Sequence, residues 1–199
     1  MSVVHPRNWF VGVVRVTRIV TAIVLMLSGW SNSARAATSP TEYELKAAYL
    51  VNFARFVKWP AQKLSTSDTP FVIGVVGDDS FASAIDSAVH GTKVYEHRVV
   101  ARRVSGGEEL RRCHLLFVSR TGDGRMPALI ADLRDQPILT VGESDKFISL
   151  GGMINFTTIS DTIHFEINRA AAEKTGLKVD SRLLSLAKIA DASRIGQDN

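Results

Sequence analysis

Beyond residue 40 the chain alternates between two hydrophobic periods. Over "EYELKAAYLVNFARFVKW" the apolar side chains recur at helical spacing. At about 100° per residue, Leu45, Phe56, Tyr49, Phe53, Val57, Leu50 and Tyr43 share one broad arc, and Glu44, Asn52, Arg55 and Lys58 fall outside it. Lys46 is the exception, a cation inside the apolar arc. Thr41 with Glu44 three positions on reads as a capping box, and Pro60 pushes the residue before it out of helical angles. The pattern predicts a helix from about Glu42 to Trp59.

The runs "PFVIGVVGD", "HLLFVS" and "PILTVGE" are continuously apolar and rich in branched residues, which suits strands buried on both faces. Between them, "DSFASAIDSAVHG" places Ala82, Ile85 and Val89 at helical spacing with Gly91 as a stop. "RVVARRVS" reads as an alternating or edge strand, "GGEELRRC" as a short helix, and "RMPALIADLRD" as an amphipathic helix with Leu129, Ile130 and Leu133 inward. This alternation predicts an α/β fold with a mostly parallel sheet and helices on both faces. The rhythm then changes. "GGMINFTTIS" and "DTIHFEIN" are close enough to form a C-terminal antiparallel β-hairpin, and "RAAAEKTG", ending at Gly176, and "SRLLSLAKI" predict terminal helices.

The first 36 of the 199 residues follow another logic. Arg7, Arg15 and Arg18 precede the apolar stretch "IVTAIVLMLSGW", and "SARAA" supplies small residues at Ala34 and Ala36. That order is the pattern of a secretory signal peptide, and the apolar run is shorter than the about 20 residues a membrane span requires. Residues 1–36 are therefore expected to be a leader and residues 37–199 a single exported domain, with no stable membrane insertion. The leader holds four of the 24 Lys+Arg and none of the 20 Asp+Glu, so the remainder balances at 24 − 4 = 20 positive against 20 negative charges. A nucleic-acid binder needs a basic excess for phosphate contacts, and this remainder has none.

The single cysteine, Cys113, excludes an intramolecular disulfide. At the start of an apolar run it reads as a buried thiol, with an intermolecular bridge as the alternative.

Candidate chemistry is sparse. Asp78 and Asp79 in "GVVGDDS" follow one predicted strand, and Glu143 and Ser144 in "TVGES" follow another, so the four could share the carboxyl rim of the sheet as a ligand-binding site. Asp79 is equally suited to capping a helix. The glycine pair Gly151-Gly152 implies backbone bent close to a neighbour, either a ligand or another strand. "GES" lacks the second glycine of a nucleophile elbow, no phosphate-loop pattern occurs, and His90, His97, His114 and His164 lie in separate elements. His164 and Glu166 share one strand face, which falls short of the three or four ligands of a zinc site. The reading is a protein without catalytic residues, metal or cofactor.

The blocks "LKAAYLVNFARFVKWP", "IGVVGDDSF", "CHLLFVS", "ILTVGESDKFISLGGMINF" and "IHFEINRAAAEKTGLKVDSRLLSLAKI", in that order, resemble the YfiR family of exported bacterial proteins, from about Glu42 to Ile195. The resemblance implies a periplasmic regulator that binds the periplasmic sensor domain of an inner-membrane diguanylate cyclase and holds it inactive. Release, assisted by an outer-membrane lipoprotein, would raise cyclic-di-GMP and favour biofilm. It also implies a compact α/β sandwich able to form a homodimer. Better-understood members carry disulfides, and here Cys113 matches one cysteine position while its partner positions are empty, which argues against redox control of that kind. For the partner contact, the edge of the first helix opposite its apolar arc is the expected surface: Asn52, Arg55, Lys58 and Trp59, an aromatic beside arginine as in contact hot spots. The alternative is a periplasmic small-molecule binding module with its pocket at the strand rim.

Overall fold

A computed structural model describes residues 41–64, 68–77 and 79–190. The expected leader and Asp78 lie outside the described residues, as does the side chain of Asp79.

Helix α1 (Glu42–Phe56) begins as its sequence dictates. The Glu44 amide donates to Thr41 Oγ1 at 3.2 Å and the Thr41 amide to Glu44 Oε2 at 2.6 Å, closing the capping box. The helix ends three residues earlier than its periodicity predicts. Val57 turns extended and pairs with Val179, so β1 (Val57–Lys58) and β9 (Lys178–Val179) form a small antiparallel ribbon, and the Asp180 amide takes the Phe56 carbonyl at 2.8 Å. A β-branched residue gains a strand partner there, and tertiary pairing overrides helical continuation.

The main sheet has eight strands in the order β10-β8-β7-β6-β5-β2-β4-β3. Its centre is parallel: β4 (His97–Arg103), β2 (Phe71–Val76), β5 (Leu115–Val118), β6 (Leu139–Gly142) and β7 (Ile154–Ile159). The C-terminal hairpin is present as β7 paired antiparallel with β8 (Thr162–Ile167), Ile159 opposite Thr162. Its two turn residues, Ser160 and Asp161, both have positive φ (48° and 59°), the geometry that matches strand twist in a two-residue loop. A second hairpin, unannounced by the sequence, joins β3 (Lys93–Val94) to β4, so β4 lies one strand in from the edge. The last amphipathic run is shorter than expected: the helix spans Ser181–Leu186, and Lys188–Ile189 add β10 parallel to β8.

Because successive strand residues face opposite sides, the sheet carries two cores. Leu115, Phe117, Val141 and Phe156 face α1 and α2 (Asp79–Val89), whose Leu50, Phe53, Phe81 and Ile85 are buried against them. Phe53 meets Phe165 edge-on at 5.0 Å and stacks on Phe156 at 5.6 Å. Leu116, Val118 and Val76 face the other way, onto Leu110 of α3 (Glu108–Arg111) and Met126, Leu129, Ile130 and Leu133 of α4 (Met126–Leu133). Helices thus cover both faces, as the alternation predicts. Leu45, placed by periodicity in the apolar arc, is 38% exposed.

One member of the glycine pair, Gly152, finds its neighbour within its own loop. A Cβ on Gly152 would come within 2.2 Å of the Phe147 ring, and one on Gly142 also within 2.2 Å, so this aromatic side chain fills the space both glycines leave. Neither glycine is held open for a ligand.

Candidate functional site

The carboxyl rim of β5 and β6 holds a buried charge cluster. Glu143, the residue after β6, is 7% exposed, and Lys46 of α1 is 4% exposed. Lys46 Nζ lies 2.6 Å from Glu143 Oε2 and also bonds Glu42, one turn earlier on its own helix. The other Glu143 oxygen accepts the Arg120 amide at 2.9 Å, and the Arg120 guanidinium donates to the Glu143 carbonyl at 3.3 Å. The cation that interrupts the apolar arc of the sequence is therefore the tie between α1 and the sheet rim.

Ser144 enters this rim through its backbone. Its amide donates to Asn155 Oδ1 at 3.1 Å, and Asn155, 1% exposed, reaches toward Glu166 Oε1 at 3.5 Å. A cleft of ≈680 Å³ opens beside the cluster, bounded by Glu42, Lys46, Arg120, Thr121, Glu143 and Thr158. Of the four rim residues expected from sequence, Glu143 and Ser144 stand here. Asp78 lies outside the described residues, and Asp79 begins α2 at the end of the loop after β2. Arg120 was not foreseen, because its role depends on a backbone amide that no side-chain pattern advertises.

Chemically, this cluster neutralises charge. Glu143 has both oxygens engaged by cationic or N–H donors, and neither histidine nor cysteine belongs to the network. His164 is exposed while Glu166 beside it is buried, so the two have different surroundings. Among the described residues no group of three or more His, Cys, Asp or Glu could hold a metal ion, and no helix is long and apolar enough to cross a membrane.

The edge of α1 divides. Asn52, Arg55 and Lys58 are exposed, but Trp59 is not. With the chain already extended after Phe56, Trp59 turns inward: it is 9% exposed, meets Phe71 edge-on at 5.1 Å, and donates its indole N–H to the His114 carbonyl at 3.2 Å. Its place is the core, which corrects the expectation that it belongs to a contact surface. Projecting a helix through Trp59 put it on the wrong side.

Around the remaining three, the fold gathers other residues. Lys178 lies opposite Lys58 in the ribbon, and the Arg182 guanidinium sits 5.0 Å over the Phe56 ring while bonding Asp180 at 3.0 Å. That hydrogen-bonded guanidinium holds the Asp180 carboxyl well below the usual carboxylate range. Tyr95, 45% exposed, donates its hydroxyl to the Val57 carbonyl at 2.8 Å. The surface that results brings Lys58, Lys178 and Arg182 together with Asp180 and an exposed tyrosine.

Cys113 is fully buried, bonded weakly to the Glu109 carbonyl, and burial pushes its thiol up to about 11. A Cβ on Gly74 would lie 2.6 Å from its sulfur, so the backbone beside the thiol must be bare. The thiol is inert, as buried unpaired cysteines are.

A family model described as YfiR/HmsC-like matches residues 43–188, from within α1 to β10. The chain belongs to that family.

Proposed function

We propose that this member of the YfiR/HmsC-like family is a periplasmic regulator that binds the periplasmic sensor domain of an inner-membrane diguanylate cyclase and holds the cyclase inactive. The observation that carries the reading is the family match, which spans nearly every element of the described fold. At the rim, the Glu143 carboxylate is bonded by Lys46 and the Arg120 amide.

Contact is assigned to the exposed edge of Asn52, Arg55 and Lys58, extended by Lys178 and Arg182. Cations dominate this patch, so the complementary surface of the sensor domain is acidic, and association weakens with salt. The regulator is exported by its leader and acts as a single domain over residues 37–199. An outer-membrane lipoprotein would release the cyclase by competing for the regulator, and a homodimer would be the resting form. The test is a pull-down of membrane proteins with the purified protein, together with cyclic-di-GMP levels in a deletion strain. A recovered cyclase and a raised nucleotide level support the assignment, and an unchanged level with no cyclase recovered refutes it.

A second reading rests on the ≈680 Å³ cleft beside Glu143. A small ligand there would bond Arg120 and Thr121 and compete with the Lys46 tie, and it would bias the partner complex through α1. Stabilisation by a metabolite that disappears in Arg120→Ala or Glu143→Ala supports it; no thermal shift across a broad metabolite library counts against it.

A further inference from the structure

A second concavity, of ≈850 Å³, opens on the face covered by α3 and α4, between the start of β2 and β5 and the carboxyl end of β4. Lys63, Arg102, Arg103 and Arg112 line it, against one carboxylate, Glu109. These cations come from three separate segments: the turn Ala61–Leu64, the end of β4, and the residue after α3. No local charge run in the sequence announces them together. In a chain whose charges balance beyond the leader, such a convergence is a local exception.

Among the described residues Lys63, Arg102 and Arg112 form no ion pair with Glu109, Arg102 makes no hydrogen bond or ion pair, and Arg112 reaches only Glu108, at 3.9 Å between two exposed groups, which contributes little. Lys63 Nζ donates to the Arg111 carbonyl at 2.7 Å and has two further N–H donors. Glu109 accepts from Ser105, through its amide at 3.3 Å and its hydroxyl at 3.4 Å. The floor is different in kind. Pro70, Val72 and Val104 supply apolar surface, and the His114 ring, stacked 4.8 Å from Phe71, is fixed there by the Val72 amide on Nδ1 and the Lys63 carbonyl at Nε2. Because Nδ1 accepts a hydrogen bond, the imidazole is the neutral tautomer and adds no charge.

We propose that this cleft binds a small organic anion, a carboxylate or phosphate monoester with an apolar body. The anionic group would meet Arg102, Arg112 and Lys63, and the apolar part would lie on Val72 and Val104. The volume is that of small-molecule sites, about 300–1,000 Å³, and arginines at a concave rim match the geometry of both anions. This site shares no lining residue with the cleft at the Glu143 rim, and it stands whether or not the protein regulates a cyclase.

The test is a thermal-shift and ¹⁵N-amide NMR titration of the purified protein with phenyl phosphate, benzoate, inorganic phosphate and phenol. Phenyl phosphate or benzoate is expected to raise the melting temperature and to shift the amides of Lys63, Val104 and Cys113, while phenol does neither. The double variant Arg102→Gln/Arg112→Gln, whose side chains are exposed and leave the unliganded melting temperature unchanged, should weaken the apparent Kd about tenfold or more. Four results overturn the proposal: no shift with either organic anion; shifts that survive the double variant; stabilisation by inorganic phosphate equal to that by phenyl phosphate, which leaves the apolar floor without a role; or arginine-dependent binding to phosphatidylglycerol vesicles without binding of the small anions, which makes the patch a membrane-facing surface.

Discussion

Lys46→Met is the substitution that most directly probes how α1 is held to the sheet. Methionine keeps most of the stem volume and removes the ammonium, so the change is electrostatic rather than a cavity. In the native protein that ammonium sits 2.6 Å from Glu143, with side-chain exposures of 5% and 8%, whereas Glu42 is 56% exposed and loses little if released. Without Lys46, Glu143 keeps only the Arg120 amide and backbone-bound guanidinium nearby. Breaking a buried pair from one side costs about 3–5 kcal/mol, because the remaining charge is uncompensated. At about 2–4 °C per kcal/mol for a domain of this size, the melting temperature should fall by about 10 °C. Glu143→Gln keeps an oxygen for the Arg120 amide and leaves Lys46 with Glu42, so it should cost about 1–3 kcal/mol. The double variant should then be more stable than the sum of the singles by about 2 kcal/mol. Chemical denaturation of the four proteins measures each difference. If Lys46→Met costs under about 1 kcal/mol, or the two changes add within about 0.5 kcal/mol, the ion pair is not a structural tie.

Three further outcomes follow from the same geometry. Trp59→Ala should lose about 3–5 kcal/mol in denaturant unfolding, since it empties a core site and removes the indole bond to the His114 carbonyl, which keeps the Leu139 amide, while Arg55→Ala should stay within about 0.5 kcal/mol of the parent and weaken partner binding. Gly152→Ala should lower the denaturation midpoint by at least about 1–3 kcal/mol of stability, because its Cβ would meet the Phe147 ring at 2.2 Å and the Phe147 carbonyl at 2.6 Å. Burial lowers the His114 pKa to about 4 from its ordinary 6.5, so below pH 6.5 the unfolded chain takes up a proton that the folded one refuses. Stability should therefore fall by about 2 kcal/mol between pH 6.5 and 4.5, before Glu44, whose own pKa is lowered by its capping bonds, begins to contribute. His114→Gln should flatten the slope in that window, and an unchanged slope would place the titrating group elsewhere.

What the sequence made legible was whatever depends on local period. Apolar runs of branched residues located β2, β5 and β6, the Thr41–Glu44 pair located the start of α1, and the two apolar runs after Gly152 located the hairpin, because each is decided by its own neighbourhood. The ribbon of β1 and β9 and the strand β10 were not legible, since these two-residue strands exist only through partners distant in the chain, and β3, though its partner β4 is next in sequence, is too short for an alternating period to show. Trp59 shows the cost: once Val57 pairs with Val179, the helical projection no longer applies, and an aromatic assigned to the surface belongs to the core. Lys46 was visible as an anomaly in the apolar arc, but its meaning required Glu143, 97 residues away. The basic cleft was invisible because Lys63, Arg102 and Arg112 converge only when β2, β4 and α3 pack.

The most direct test of the regulatory account is the cyclic-di-GMP content of cells that lack this protein, compared with cells complemented by the parent chain and by an Arg55→Glu/Lys58→Glu variant. The account predicts a rise on deletion, return to the original level with the parent chain, and failure of the variant to restore it although it accumulates and folds. A level unchanged by deletion would contradict the account.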